Sequence, residues 1–186
     1  MLFRSESGGN TRGGYIDITS MGTGAGTNLL GTTIYKNTTP QTVSASTSNT
    51  VLQSILIPAN TFKAGDLIEA SYRLKKVGVN NTCAVRLAVN TSLTTAGYTI
   101  MATTNFNPAN NLYNSVQRVF QVITANNNTE SFGSLTLSNT DFTNNTAAVS
   151  NLSIDWTVDQ YVFTAALPVS SSDSITSTYL LLKRIR

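Results

Sequence analysis

The residues best suited to acid–base chemistry in this sequence are carboxylates at turns. Asp155 and Asp159 flank Trp156, and Asp66 lies three residues before Glu69. A glycosidase needs two carboxyl groups about 5–10 Å apart, and an aromatic ring beside them suits a sugar. Local structure gives a simpler explanation, because Asp66 can bond its own turn and Asp155 and Asp159 can cap a corner around a buried Trp156. The sequence therefore favours structural carboxylates.

The sequence contains no histidine and a single cysteine, Cys83. Histidine is the commonest general base and metal ligand, so Ser-His-Asp catalysis, Cys-His catalysis and ordinary zinc sites are excluded within one chain. Cys83 lies in an alternating apolar run and is interpreted as a small core residue. The turn carboxylates match no calcium-loop spacing. We therefore expect no catalytic residue, no metal site and no cofactor, and hence no enzyme.

Polar loops offer a second kind of chemistry, the binding of a ligand. Side-chain amides and hydroxyls can hydrogen-bond sugar hydroxyls, and exposed aromatic rings can stack on sugar rings. Loops on a rigid scaffold often carry such residues, although ordinary solvated loops remain the alternative for each residue. Tyr98 is one further ring of this kind. The candidate glycan or receptor surface comprises Phe106, Asn110, Tyr113, Asn127, Phe142 and Asn145.

The composition indicates which elements must position these residues. The chain has 29 threonines, 20 serines and 20 asparagines, whereas charged residues make up only 11% against roughly 25% in an average domain. Abundant β-branched threonine favours strands over helices. The net charge of +3 is scattered, and Lys75–Lys76 and Lys183–Arg186 are interpreted as solvated strand ends. We expect no nucleic-acid partner, no membrane partner and no secretion signal.

Hydrophobic alternation predicts an all-β fold, an antiparallel, jelly-roll-like β-sandwich of about eight strands. The loop at residues 78–81 is short enough to predict a hairpin between the second and third strands. A parity change near Asp159 predicts a bulge or corner, and the last strand is predicted to be buried on both faces. The predicted strands are Thr50–Ile57, Leu67–Val77, Thr82–Asn90, Tyr98–Thr104, Asn114–Thr124, Phe132–Leu137, Tyr161–Leu167 and Ser177–Ile185.

Glycine divides the chain unevenly, since eight of its twelve glycines lie in the first 31 residues. A segment this permissive in backbone is not expected to form a core of its own. The predicted organisation is a glycine-rich N-terminal arm at residues 1–33, a polar connector at 34–49 and the β-sandwich at 50–186.

Three stretches carry a resemblance to a known class of proteins. They are ILIPANTFKAGDLIEASYRLKKV at residues 55–77, IDWTVDQYVFTAAL at 154–167 and SDSITSTYLLLKR at 172–184, and NLLGTTIYKNTTPQTV precedes them at 28–43. Together they resemble the β-sandwich heads of bacteriophage fibre and capsid-decoration proteins. The motifs in these stretches consist of turn-forming residues and of the alternating apolar and polar residues of strands. The short arm favours a head fibre or decoration protein over a long tail fibre.

The resemblance implies a structural protein on a virion surface, made in the cytoplasm of a bacterial host. It implies a homotrimer that contacts other virion proteins, such as capsid or portal-proximal subunits, and that displays its sandwich for adhesion to a surface or a host glycan. The arm would attach the head to the particle. The arm residues expected to make that attachment are Leu2, Phe3, Arg4, Arg12, Tyr15, Ile16 and Ile18.

Three other functions remain open at this point. A stand-alone carbohydrate-binding module would be a monomer with measurable glycan affinity. A receptor-binding tip of a tail fibre would share the fold but not the location on the particle. A small glycan-degrading enzyme would use Asp155 or Asp159 and would lose turnover when either is changed to asparagine.

Overall fold

The computed structural model describes residues 26–27, 33–44, 46, 48–78, 83–107, 109–131, 149–167 and 172–185. All regular elements in these ranges are β-strands, and none of the described residues form a helix that could span a membrane. The strands are β1 (Gly26–Thr27), β2 (Thr33–Asn37), β3 (Gln41–Ser44), β4 (Thr50–Ile57), β5 (Leu67–Val77), β6 (Cys83–Asn90), β7 (Thr99–Phe106), β8 (Leu112–Thr124), β9 (Asn128–Ser131), β10 (Ser150–Leu152), β11 (Gln160–Leu167) and β12 (Ser174–Ile185).

The strands form two antiparallel sheets. The larger sheet has the order β1-β2-β12-β5-β8-β9-β10, with β3 also paired to β12, and the smaller sheet has the order β4-β11-β6-β7. Pairing is nested along the chain, because β3 pairs with β12, β4 with β11, β5 with β8 and β6 with β7. This is the pattern of one long hairpin rolled into two sheets, which is a jelly roll. The predicted fold class is therefore confirmed.

Strand β12 lies at the centre of the larger sheet. One of its edges pairs with β5 along its whole length, and the other pairs first with β3 and then with β2. Between β3 and β2 the pairing is interrupted around Pro40, which has no amide hydrogen to donate. Thr178 is an extra residue in β12, since Ser177 pairs with Leu74 while Tyr179 pairs with Arg73.

The core fills the space between the two sheets. Ile68, Ala70, Tyr72 and Leu74 of β5 are at most 1% exposed, and Cys83, Val85, Leu87 and Val89 of β6 face them from the other sheet. Both alternating sets were predicted from the period-2 pattern, because side chains alternate between the faces of a strand. Cys83 is the small core residue that the sequence indicates.

The predicted hairpin between β5 and β6 is wrong. Strand β5 belongs to the larger sheet and β6 to the smaller one, so the five residues between Val77 and Cys83 pass from one sheet to the other. Stacked sheets lie about 10 Å apart, and five residues can span more than that distance. Loop length alone therefore does not distinguish a hairpin from a crossing between sheets.

Two further expectations differ from the structure. The segment expected to be a connector contributes β2 and β3 to the larger sheet, with Tyr35 and Val43 buried. Strand β12 is not buried on both faces, because Leu180 and Leu182 face the core whereas Tyr179 and Leu181 are half-exposed on the other side. The strand is central in the sheet, but only one of its faces lies in the core.

Candidate functional site

A shallow polar groove lies on the outer face of the larger sheet, where β12, β5 and β8 run side by side. Its volume is about 360 Å³. On this side of the three strands most outward residues are exposed or half-buried and can contact a ligand, whereas Val119 of β8 is buried. The outer-face groove is lined by Ser71, Arg73, Ser115, Gln117 and Tyr179, with Tyr72 and Val116 in its floor.

Strand register places the groove residues in rows. Arg73 pairs with Tyr179 on one side and with Ser115 on the other. The next row toward the start of β5 contains Ser71 and Gln117, and the next row in the other direction contains Lys75 and Tyr113. Neighbouring strands are about 4.8 Å apart, and same-face residues on one strand are about 7 Å apart. The rows therefore present hydroxyl, amide, aromatic and cationic groups at the spacing of a small oligomeric ligand.

Two cations on this face lie over tyrosine rings. The Arg73 guanidinium carbon is 6.0 Å from the centre of the Tyr179 ring, and the Lys75 Nζ is 5.4 Å from the centre of the Tyr113 ring. Both separations are within the range of a cation–π interaction. Partial burial raises the pKa of Tyr179, Arg73 opposes the shift and Glu69 adds to it. The Tyr179 hydroxyl therefore stays protonated at neutral pH and can donate a hydrogen bond.

Two of the predicted glycan-surface residues lie near this groove. Tyr113 is 73% exposed, the most exposed large apolar side chain among the described residues. Asn110, three residues earlier, is exposed, and its Oδ1 accepts hydrogen bonds from the backbone N–H of Gly78 and of Asn111, both at 2.9 Å. The amide oxygen of Asn110 thus holds a turn, while the Tyr113 ring remains available to a ligand.

The other predicted glycan-surface residues that the structure describes do not lie near the outer-face groove. Phe106 is 3% exposed and belongs to the core. Its assignment as a surface ring is therefore wrong, because its position in the alternation of β7 turns its side chain inward. Asn127 lies in the turn after β8, roughly 35 Å from Tyr113 by strand rise, and its Oδ1 accepts a 2.7 Å hydrogen bond from Thr124. Phe142 and Asn145 lie outside the described residues, as do all seven predicted arm residues.

The candidate catalytic carboxylates have structural partners. Asp155 Oδ1 accepts hydrogen bonds from the Thr157 hydroxyl at 2.6 Å and the Thr157 N–H at 2.9 Å, and these bonds lower the pKa of Asp155 below its usual 3.8. Asp159 accepts a 2.8 Å bond from the Ala59 N–H. A glycosidase acid needs a raised pKa, so the Asp155 carboxyl is poorly suited to that role.

Trp156 confirms the structural interpretation of this corner. Its side chain is 1% exposed, its indole N–H donates a 2.9 Å bond to the Thr129 hydroxyl, and its ring packs edge-on against Phe62. Residues 153–159 form the predicted corner, which carries the chain from β10 in the larger sheet to β11 in the smaller one. Val158, which shares the parity of Trp156, is 42% exposed instead of buried.

Two basic side chains interpreted as solvated strand ends are buried. Lys76 is fully buried, with its Nζ 2.6 Å from the Gly78 carbonyl oxygen, 3.1 Å from that of Ala109 and 3.9 Å from Asp173 Oδ1. Arg184 is 6% exposed and forms a 2.7 Å ion pair with Asp66, whose carboxylate also accepts a bond from the Lys63 N–H. In both places the strand continues into the sandwich and a carboxylate receives the cation.

The outer face of the smaller sheet carries an apolar cluster among polar side chains. Ala88, Phe163 and Ala165 form a second buried cluster there, flanked by Val51, Tyr98 and Tyr161. Tyr98 covers Phe163 edge-on, and its hydroxyl is bonded to Arg86 and to Asn49, so this ring has a structural role. Leu56, which pairs with Tyr161, is 45% exposed at the side of the cluster. This second surface therefore offers a small area of hydrophobic contact among polar groups, since Arg86 and Asn90 lie on the same face as Ala165 and Tyr161.

Sequence reasoning missed most of the outer-face groove. Lys75 was interpreted only as a solvated strand end, and Tyr179 belongs to the last strand, which was predicted to be buried on both faces. The signal that unites them is the pairing of β12 and β8 with opposite edges of β5, which joins residues about 40 and 100 positions apart in the sequence. Among the described residues, no three His, Cys, Asp or Glu side chains are grouped as metal ligands.

Comparison of the chain with protein-family models and with curated protein sequences finds no match.

Proposed function

We propose that this chain is a non-enzymatic adhesion protein of a virion surface, whose jelly roll binds glycan through the outer-face groove. The observation that carries the proposal is the groove itself: two tyrosines, one of them 73% exposed, beside serine and glutamine side chains on a rigid sheet. Exposed aromatic residues with nearby hydrogen-bonding groups are typical of binding surfaces. The virion assignment is supported by the sequence resemblance to phage fibre and decoration proteins.

Binding of the intact protein to an array of glycans tests the adhesion role. We expect retention of at least one glycan, and at least a tenfold loss of affinity in Tyr113→Ala and Tyr179→Ala, because each removes a ring from the groove. Leu93→Ala is the matched control, since Leu93 is 48% exposed on a loop between strands of the smaller sheet. No glycan binding, or equal binding by the tyrosine variants, would contradict the adhesion role. Glycan cleavage that stops in Asp155→Asn or Asp159→Asn would identify an enzyme instead.

Self-association is the second part of the proposal. The resemblance implies a homotrimer, and exposed Leu56 with half-buried Tyr161 and Val51 on the outer face of the smaller sheet supplies the kind of patch that subunits bury. Light scattering coupled to size-exclusion chromatography should give a mass near three times the 19.9 kDa of one chain. We expect Leu56→Glu to give a monomer with unchanged circular dichroism. A monomeric wild-type protein would favour the stand-alone carbohydrate-binding module.

Attachment to the particle is the third part, and it belongs to the N-terminal arm. Removal of residues 1–25 deletes all seven predicted attachment residues and leaves β1 and β2 in place. The shortened protein should fold and bind glycan as before but fail to decorate particles that lack the full-length protein. Equal occupancy of the particle by both forms would assign attachment to another surface.

A further inference from the structure

Arg73 in the outer-face groove and Lys75 in the adjoining row have no anionic partner within the described part of the chain. No carboxylate oxygen there lies within 4.0 Å of Arg73 or Lys75, whereas Lys76, Lys183 and Arg184 each have one. The nearest carboxylate along β5 is that of Glu69, which is 4.0 Å from Lys183. Arg73 and Lys75 are therefore cations without a carboxylate partner among the described residues, whereas Lys183 on the same face is paired with Glu69.

The same cations are held in place by the tyrosines. A side chain lying over an aromatic ring has lost part of its rotamer freedom before any ligand arrives, which lowers the entropic cost of binding. The Arg73 and Lys75 side chains leave the same face of β5 about one strand repeat of 7 Å apart, and they lean toward tyrosines on opposite neighbouring strands, Tyr179 of β12 and Tyr113 of β8. An acidic ligand that lies across the face can place an anionic group against either cation, and a guanidinium can bind a carboxylate or sulfate through two hydrogen bonds.

The flanking groups define the rest of the ligand. Ser71, Ser115 and Gln117 supply hydroxyl and amide groups that can both donate and accept, which suits a ligand rich in hydroxyls. The rings of Tyr113 and Tyr179 offer apolar faces beside them. The volume of about 360 Å³ is that of a site for a small ligand or for one or two units of a polymer.

We infer that the groove and the adjoining row of Lys75 and Tyr113 bind an acidic saccharide, whose carboxylate or sulfate groups contact Arg73 or Lys75 while the sugar packs on the tyrosine rings. This inference rests on the proposed glycan adhesion and adds the charge class of the glycan. A neutral glycan would leave two cations desolvated without a partner, which disfavours it. A nucleic-acid strand also carries anions, but its phosphates would be expected to meet a longer basic stripe than two residues.

The experiment compares four probes on the intact protein: oligogalacturonate, its methyl ester, a sulfated dextran oligosaccharide and single-stranded oligothymidine. We expect one or both acidic saccharides to bind, and the methyl ester to bind at least tenfold more weakly than oligogalacturonate if the carboxylate is the group recognised. Sulfated dextran binding alone would identify sulfate as the anionic group. Affinity for the saccharide that binds should fall as salt is raised from 50 to 500 mM, because ion pairs are screened.

The variants are Arg73→Gln and Lys75→Gln, with Lys63→Gln as the matched control. Lys63 is an exposed lysine in the turn before β5, at the opposite end of that strand from Lys75. We expect each groove variant to lose at least fivefold in affinity for the acidic saccharide and the control to lose none. Groove variants that bind the acidic saccharide as tightly as the wild type would overturn the inference.

The outcomes separate this inference from the proposed function. Binding of the methyl ester as tight as that of the acid, lost in Tyr113→Ala but kept in Arg73→Gln, would leave glycan adhesion standing and refute the acidic ligand. Tighter binding of oligothymidine than of any saccharide would identify a nucleic-acid surface and refute both. Failure of all saccharides on the array and in solution would also refute both.

Discussion

Gly78 and Gly65 both have a positive φ angle, of 111° and 90°, yet their surroundings differ. A β-carbon added at Gly65 would meet no atom within 4 Å, whereas one added at Gly78 would lie 2.0 Å from Asp173 Oδ1 and 2.8 Å from the Ser172 carbonyl oxygen. Gly78 is therefore required twice, for its backbone conformation and for the close approach of the buried Asp173. Gly65 is required for the backbone alone.

The matched substitutions Gly65→Ala and Gly78→Ala separate these two requirements. Gly65→Ala should lower the free energy of unfolding by about 1 kcal/mol, the cost of a left-handed alanine. Gly78→Ala should lower it by about 4 kcal/mol, because the methyl group also displaces Asp173 from the buried Lys76. Urea unfolding of both variants measures the difference. Equal losses would mean that the contact with Asp173 yields at little cost.

The lowered pKa of Asp155 leads to a prediction about how the stability of the protein depends on pH. Its pKa is lowered in the folded protein by the two hydrogen bonds from Thr157, so it contributes stability above its unfolded pKa of 3.8 and loses it as the pH falls through the folded value. Thr157→Val removes the larger, hydroxyl bond and should raise the pKa of Asp155, as followed by NMR of the carboxyl carbon. The part of the stability difference between this variant and the wild type that comes from Asp155 should shrink as the pH falls from 3.8 through the folded pKa. A pKa unchanged by the substitution would contradict the assignment.

At the scale of the elements, the extra residue Thr178 determines which side chains of β12 face the core in each half of the strand. With this extra residue, Ser177 faces the core and Tyr179 the outer-face groove, although they are only two residues apart. An even spacing without a bulge would put both on the same face. The bulge thus allows one strand to complete the core along its first half and to present Tyr179 beside Arg73 in its second.

Deletion of Thr178 and its replacement by alanine should both leave a folded protein. Thr178→Ala changes an exposed side chain and should alter stability by less than about 0.5 kcal/mol. The deletion makes Ser177 and Tyr179 consecutive residues opposite Leu74 and Arg73, so the ladder between β12 and β5 becomes regular and every other side chain keeps its face. We therefore expect a cooperative thermal transition in circular dichroism melts of both variants. Loss of that transition in the deletion variant would show that the bulge itself is required.

The pattern of side chains along single strands could be predicted from the sequence, but their partners across strands could not. Alternation from Ile68 to Leu74 and from Cys83 to Val89 fixes the faces of β5 and β6, because a strand has one period and one buried side. The same pattern does not say which sheet each strand joins, and the five residues before Cys83 fit a hairpin as well as a crossing. The groove depends on these pairings, so only Tyr113 and Asn110 near it were foreseen.

The buried charges were unpredictable for a related reason. Lysine and arginine at the ends of strands are normally solvated, so the sequence gives no sign that Lys76 and Arg184 are buried. Their burial is tolerated because Asp173 and Asp66, from distant parts of the chain, lie beside them. Trp156, by contrast, was interpreted correctly as a core residue from its place between two turn carboxylates. Local turn chemistry is readable in the sequence, whereas long-range charge pairing is not.

At the scale of the whole molecule, one hydrophobic core joins both sheets. The main cluster includes side chains from β2 to β12, among them Trp156, the single tryptophan of the chain. A core shared in this way does not allow one sheet to lose its packing while the other keeps it. The described residues should therefore unfold as one unit.

Unfolding curves that coincide for two spectroscopic signals would show that the described residues unfold as one unit. Trp156 fluorescence reports the corner between β10 and β11, and far-UV circular dichroism reports strands throughout the molecule. We expect the two signals to give the same urea midpoint within about 0.2 M and the same slope, because two-state unfolding has no intermediate that one signal detects alone. Two separated midpoints would indicate that the corner or one of the sheets opens independently.

The position of β12 has a consequence for how the chain is made. Strand β5 can pair with β12 only after roughly 100 further residues have been synthesised, which takes about 5–20 s. Throughout that interval the larger sheet has a gap at its centre, and the apolar faces of β4, β5 and β6 are uncovered. Production in cells should therefore depend on chaperones and on temperature, and slower growth in the cold should raise the soluble yield.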